Sequence, residues 1–248
     1  MTYCLALRLN DGLVFMADTR TNAGVDNVST FRKLHVLRVA PDRLFVLQSA
    51  GNLATTREVL DRINRDLITP GDHESLATVN HLFEAALYVG QLSQEVSAKH
   101  RRAFISGGDA TATFIMGGQV GDEAADILLV YPEGNYIRAS DERPFLQIGE
   151  SKYGKSLLDI AVQTHVNIET ATKIALGSMM TTAQANLSVG PPYDVAIYHP
   201  ETRVLDEVRF EADSPLLGRL VQVWTKHILN AIAELPSIPQ DEFSANRK

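Results

Sequence analysis

The stretch that decides the fold is MTYCLALRLNDGLVFMADTR, Met1–Arg20. Tyr3, Leu5, Leu7 and Leu9 alternate with Cys4, Ala6 and Arg8, the two-residue period of a strand buried unequally on its two faces. Asn10, Asp11 and Gly12 supply turn chemistry and LVFMAD returns as a second strand, so a β-hairpin opens the chain. Two registers fit. A three-residue loop with Gly12 in the left-handed position sets Leu9 opposite Leu13 and Asp18 opposite Cys4, on the face that carries Thr2. A two-residue Asp11-Gly12 loop shifts the pairing by one and turns Asp18 to the other face. The first register is the expected one.

Thr2 matters because removal of Met1 by methionine aminopeptidase, which favours a small second residue, leaves a hydroxyl and a free amine on one residue. An α-amine has a reference pKa of about 7.7 to 8.0, which suits a general base near neutral pH. A threonine hydroxyl is a weak nucleophile unless such a base stands within hydrogen-bond reach, and its β-methyl restricts χ1 and so aims the oxygen. In the first register Asp18 lies diagonally from Thr2, about 7 to 8 Å away, with space for a third group between them. Lys33, which begins the third strand in FRKLHV, is the candidate. Its ammonium favours the alkoxide and lowers the proton affinity of the amine. On spacing alone, an incidental second residue, a strand-end aspartate and an exposed lysine account for the same letters equally well. A retained Met1 converts the amine to an amide and abolishes the base.

Beyond a polar loop over Thr19–Thr30, LHVLRVA and LFVLQSAG around a PDR turn read as another hairpin. LATTREVLDRINRDL and SLATVNHLFEAALYVGQLSQEVSA then place apolar residues three and four apart, as two amphipathic helices do. Strands ATATFIMGG, DILLVYPEG and FLQIG come next, then helices over 153–163 and 168–186, and strands DVAIYHP and RVLDEVRF. Ser214 and Pro215 are an N-cap and first turn for a last helix ending near Leu235. Strands and helix pairs come in blocks rather than in βαβ alternation, so the fold class is α+β, with antiparallel sheets face to face and helices outside. One domain over 1–235 is expected, with a frayed tail over 236–248.

At 248 residues and 45% apolar content the chain can bury a large core. A net charge of -7 with no basic stripe argues against nucleic acid as a partner. KHRR at Lys99–Arg102 reads as a solvated helix end or loop. The single cysteine, Cys4, forms no internal disulfide and fits a reducing compartment, so the cytoplasm is expected. No run approaches the roughly 20 apolar residues that span a bilayer, and no export leader is read at the N-terminus. Seven histidines without paired-ligand spacing and no second thiolate give no metal site, and no cofactor is expected. GESKYGKS at Gly149–Ser156 fits the phosphate-loop expression GxxxxGK(S/T) between a strand and a helix. Bulky Tyr153 in the spacer, and the lack of βαβ order or of a later strand ending in a magnesium-binding aspartate, count against nucleotide binding.

Taken together, the leading Thr2, ADTR, RKLHVL, LQSAGNLATTREVL, LQIGESKYGKSLLDIAV and NLSVGPPYDVAIY resemble the proteasome β-type subunits, most of all the bacterial Anbu, or ancestral β-subunit, branch. The resemblance implies the N-terminal nucleophile hydrolase fold, an αββα four-layer sandwich, and hydrolysis of peptide or other amide bonds. It implies Thr2 as nucleophile, Asp18 and Lys33 as the charged pair, and the Gly51 N–H as oxyanion donor. Arg20 is expected to order the Asp18 loop. The resemblance further implies a homo-oligomer, ring or open spiral, acting on a peptide or protein substrate, with no membrane or nucleic-acid partner and an ATPase partner unspecified. Two positions depart. Glu150 stands where the family has a serine in its G-S-G turn, and Asn186, Leu187 and Ser188 stand where it has an Asp followed three residues on by a Ser. Those family residues orient the amine and a water, and Glu150 or Ser188 are the substitutes at hand. A self-assembling but inactive subunit and a small-molecule amidase are the alternatives.

Overall fold

The computed structural model describes residues 2–22, 28–69, 71, 73–103 and 109–239. In chain order it forms β1 (Tyr3–Leu9), β2 (Gly12–Asp18), β3 (Arg20–Asn22), β4 (Val28–Thr30), β5 (Leu34–Ala40), β6 (Arg43–Gly51), α1 (Leu53–Ile68) and α2 (Leu82–Ala103). Then come β7 (Ala112–Val120), β8 (Asp126–Val130), β9 (Tyr136–Arg138), β10 (Phe145–Gly149), α3 (Lys152–Ala161), α4 (Ile168–Ala185), β11 (Tyr193–His199), β12 (Val204–Phe210) and α5 (Pro215–Ala233). One sheet has the order β10-β1-β2-β11-β12, the other β5-β6-β7-β8-β9, and β3 with β4 makes a separate ribbon. The pairings are antiparallel throughout.

Strand alternation decides what each sheet face meets. Cys4, Ala6, Phe15 and Ala17 of the first sheet pack against Val46, Ile115 and Ile127 of the second. The opposite face of the second sheet, with Phe45, Leu47, Phe114 and Met116, packs on Val59 and Ile63 of α1 and Ala85 and Val89 of α2. On the first sheet's other face, Tyr3 reaches α4, its phenol 2.7 Å from Ser178 Oγ. With both faces covered, β1 and β2 are buried almost throughout, and each fully buried Leu or Phe contributes about 1.5 to 3 kcal/mol. Asn52 and Asn167 cap α1 and α4 by accepting the Thr55 and Thr170 N–H groups.

The first hairpin takes neither expected register. Leu9 pairs with Gly12 and Cys4 with Ala17, so the loop is Asn10-Asp11 and Asp18 comes opposite Tyr3 rather than Cys4. Gly12 belongs to the strand because of what lies beside it. Its φ is +153°, and a Cβ there would stand 2.2 Å from the Tyr198 carbonyl oxygen.

Three smaller differences have local causes. The polar stretch after Asp18 contains the β3–β4 ribbon, with Arg20 opposite Thr30. The polar connection after β8 contains β9, with Ile137 opposite Leu129. Helix α2 starts at Leu82 rather than near Ser75, because the Thr78 hydroxyl accepts the Ser75 N–H and donates to the Ser75 carbonyl in a turn.

The chain divides into two compact units, Met1–Ala212 and Asp213–Lys248. The second is built on α5, and the part of the expected tail from 240 onward lies outside the described residues. Among the described residues no helix is long and apolar enough to cross a membrane.

Candidate active site around Thr2

The hairpin's far end gathers the charged pair. Lys33 Nζ donates to Asp18 Oδ1 at 2.7 Å and to the Arg20 carbonyl at 2.6 Å. The Tyr3 N–H donates to the same Asp18 oxygen at 2.9 Å, and the Gly190 N–H reaches Oδ2 at 3.4 Å. Since the two donors share one oxygen, the ammonium sits within two hydrogen-bond lengths of the peptide nitrogen that comes after Thr2. Asp18 is 0% and Lys33 5% exposed, so the pair is dry as well as close. Lys33 itself precedes β5, and the Ser49 N–H of β6 holds its carbonyl at 3.0 Å.

Counted from the observed register, simple alternation puts the Asp18 side chain on the face away from Thr2. The carboxylate instead turns back to the Tyr3 N–H and to Lys33, which comes from the second sheet. Cys4, on the inter-sheet face, feels both charges, although burial is what chiefly pushes its thiol up. Burial likewise pushes the Asp18 carboxyl above the ordinary carboxylate value, against the pull of the Lys33 ammonium and the Tyr3 and Gly190 N–H groups. Arg20, on the ribbon, donates from Nη1 to the Leu187 carbonyl at 2.9 Å and so ties the α4–β11 connection down.

A second set of contacts reaches Thr2 from the other side. Its carbonyl accepts the Glu150 N–H at 2.7 Å. Gly149 has φ +81°, and a Cβ there would lie 2.0 Å from that same carbonyl oxygen, so only glycine lets the turn close on Thr2. Glu150 Oε2 accepts from Asn186 Nδ2 at 2.9 Å, and Asn186 Oδ1 accepts the Ser188 N–H at 2.9 Å. Ser188 thereby joins Thr2 through a chain of three bonds. Gly51 ends β6 with φ +108°, two residues after the Ser49 that anchors Lys33, and immediately before the α1 cap Asn52. Asn52 N donates to Thr111 O at 2.8 Å, which fixes the strand-to-helix turn.

Of the residues singled out from sequence, Asp18 and Lys33 touch, Thr2 adjoins both sets of contacts, and Gly51 and Ser188 stand on anchored turns. Sequence reasoning missed two bonds, Tyr3 N–H to Asp18 and Asn186 to Glu150. The first is a backbone contact with no side-chain letter to mark it. The second was signalled by two departures from one family pattern, 36 residues apart. The phosphate-loop letters have a packing explanation. A Cβ on Gly154 would lie 2.2 Å from Ser178 Oγ, so that glycine lets α3 approach α4, while Lys155 Nζ pairs with Asp159 at 2.6 Å. Among the described residues no cluster of three His, Cys, Asp or Glu could hold a metal ion.

Solved structures of known proteins match the chain over nearly its whole length. The Yersinia bercovieri Anbu (ancestral beta-subunit) is 38% identical with a TM-score of 0.89, covering 96% of this chain and 100% of its own. Anbu from Hyphomicrobium sp. strain MC1 is 39% identical at TM-score 0.86, with the same coverage. The chain belongs to the Anbu family of proteasome-like β-subunits. A third Anbu structure, from Pseudomonas aeruginosa, is 37% identical at TM-score 0.90, covers 96% of this chain and 98% of its own, and is described as a helical assembly of the Anbu complex. No protein-family model and no curated protein matches the sequence. The Anbu likeness therefore rests on solved folds, and it agrees with the residues from which the sequence resemblance was drawn.

Proposed function

We propose that this Anbu chain is a threonine hydrolase that cleaves peptide or other amide bonds with Thr2 as N-terminal nucleophile, once Met1 has been removed. The observation that carries the reading is the dry Lys33–Asp18 contact, 2.7 Å long, bonded through the same carboxylate oxygen to the peptide nitrogen after Thr2. The Thr2 amine takes the hydroxyl proton as Oγ attacks the scissile carbonyl, and Lys33 favours the developing negative charge on that oxygen. The Gly51 N–H, on a turn that needs no reorganisation, donates to the oxyanion of the tetrahedral intermediate. Collapse breaks the C–N bond, the leaving amine takes the proton from the Thr2 ammonium, and an ester on Thr2 remains. Water, deprotonated by the same amine, hydrolyses the ester and regenerates the hydroxyl. Ser188, on its anchored turn, belongs to the water and amine side of the site.

Mass spectrometry of the intact chain establishes whether Met1 is gone. On processed protein, Thr2→Ala is expected to lower cleavage of fluorogenic peptide amides at least about a thousandfold. Unchanged turnover in that variant would remove the nucleophile. Comparing short peptides, unfolded proteins and simple amides separates a peptidase from a small-molecule amidase.

The element packing supports the αββα sandwich implied by the resemblance, and self-association completes the proposal. On α5, Ile228, Leu229 and Ile232 share one side of the helix and are 43–61% exposed, an apolar stripe of the kind that a second copy covers. The P. aeruginosa relative is described as a helical assembly, which favours the same behaviour here. Leu229→Glu with Ile232→Glu is expected to reduce the sedimentation coefficient while leaving monomer stability within about 0.5 kcal/mol. An unchanged coefficient would take α5 out of the assembly. The second reading, a structural subunit without turnover, draws on the same stripe and stands if processed protein assembles but Thr2→Ala changes no rate.

A further inference from the structure

We infer that a small cavity between β5 and β12 binds the head group of a free α-amino acid, its ammonium on Asp194 and its carboxylate on Arg32 and Arg209. The site uses no part of the Thr2 machinery and stands whether or not the chain is a hydrolase. Sheet order and register place it. β12 ends the first sheet and β5 ends the second, and Arg38 of β5 donates twice to Glu207 Oε1 of β12 at 3.1 Å, so the two free edges meet. Asp194 pairs with Arg209 and Ala196 with Glu207, which puts all four on one face. Ala196 and Leu34 belong to the core between the sheets, so that face is the inner one. Where this core stops, Arg32, Leu34, Asp194, Glu207 and Arg209 line a cavity of about 120 Å³.

Asp194 is the residue that asks for a ligand. It is 5% exposed, and its Oδ2 is buried without a hydrogen-bond donor among the described residues. Arg32 Nε stands 3.9 Å from that oxygen, beyond bonding reach, while Arg209 Nη1 bonds the other oxygen, Oδ1, at 3.3 Å. A bare carboxylate oxygen in a buried place costs the desolvation of a charged acceptor, which a donor offsets. Burial accordingly holds the Asp194 carboxyl above its ordinary value, against Arg209 and Arg32 and together with Glu211 and Glu207. The walls decide which donor fits. A metal cation or a simple amine meets two guanidinium groups, and a simple anion meets two carboxylates, so each is repelled by one pair of walls. A zwitterion is complementary to both pairs: an ammonium supplies the N–H that Oδ2 lacks, and a carboxylate takes the planar guanidinium donors. Size points the same way. A water's share of liquid volume is about 30 Å³, so the cavity admits about four to five non-hydrogen atoms, the size of glycine or of the head of a larger amino acid.

The test is a titration of the full-length chain with glycine near neutral pH and at constant ionic strength, read by saturation-transfer NMR on the glycine methylene protons. Saturable binding in the micromolar to millimolar range is expected. Acetate and methylamine each carry one of the two charges, and each is expected to bind at least about tenfold more weakly than glycine. Asp194→Asn keeps the shape of the side chain and removes its charge, so glycine affinity is expected to fall about tenfold or more. Arg32→Gln is expected to weaken glycine by about threefold to tenfold. Its side chain is 60% exposed, so this variant keeps the test open if Asp194→Asn folds poorly. No saturation by the wild-type chain would mean that the cavity holds water alone, and it would overturn the inference. Acetate binding as tightly as glycine, or unchanged glycine affinity in either folded variant, would overturn it as well. Turnover enters none of these readings, so the fate of the hydrolase proposal leaves the result legible.

Discussion

On one flank of Thr2 the charges are sealed: Asp18 and Lys33 are 0% and 5% exposed, and the carboxylate accepts from one strand, β1, and from two connecting segments. On the other flank Glu150, Asn186 and Ser188 are half-buried and joined by a single line of hydrogen bonds. Removing one partner of the sealed pair leaves an unpaired charge in a dry site, so in the proposed mechanism chemistry and stability are coupled there. The half-buried line can exchange members while water still reaches them. That is where this chain differs from the family pattern, and the difference in burial says why the exchange is tolerated on that side.

The sharpest way to break this contrast is to remove one partner of the sealed pair. Lys33→Ala leaves Asp18 buried without its cation and is expected to cost about 3 to 5 kcal/mol in urea denaturation, besides abolishing turnover. A loss under 1 kcal/mol would mean that water reaches Asp18 and that the flanks do not differ. Gly149→Ala comes next. The new Cβ meets the Thr2 carbonyl at 2.0 Å and the backbone is held at φ +81°, so a loss of about 1 to 3 kcal/mol is expected, with Thr2 displaced. Wild-type stability in that variant would show that the turn relaxes freely.

Much of this was legible in the letters, and the rest was hidden for particular causes. The opening hairpin declared itself by two-residue alternation, the helices by their three-and-four spacing, and the family by ADTR, RKL and the leading threonine. The hairpin register was not legible, because Gly12 suits both a turn and a strand, and the contact that decides between them is with the carbonyl of Tyr198, far along the chain on β11. That one-residue slip moved Asp18 opposite Tyr3, yet the ion pair survived it. A carboxylate at a strand end turns toward the donors near it, here Lys33 and the Tyr3 N–H. The β3–β4 ribbon was hidden for another reason: Arg20, Thr21, Ser29 and Thr30 are polar on both faces and give no alternation to read. The Glu150–Asn186 bond could be suspected only from two departures, since neither residue carries a motif by itself.

The half-buried flank predicts a smaller response. Asn186→Ala removes one hydrogen bond from Glu150 and one from the Ser188 N–H at sites that water can reach, so about 1 kcal/mol is expected in the same denaturation measurement. A cost of about 3 kcal/mol or more would place this flank with the sealed one.

The smallest effect is a slope. Burial raises the Asp18 carboxyl above its ordinary value of 3.8, so the folded state holds that proton more tightly than the unfolded chain does. The contribution to stability is therefore full below the unfolded value and is lost as pH rises through the raised folded one. Wild type should lose stability relative to Asp18→Asn as pH increases from about 4 toward neutrality, by an amount that the Lys33 contact reduces but does not reverse. Paired urea curves across that range measure the difference directly, and the half-buried flank offers a control, because Asn186→Ala removes no titrating group and should run parallel to wild type. A difference that instead grows in favour of wild type as pH rises would mean that Lys33 outweighs burial. The pair would then be a net stabilising one, and the coupling of chemistry to a costly dry charge would be lost from this side of Thr2.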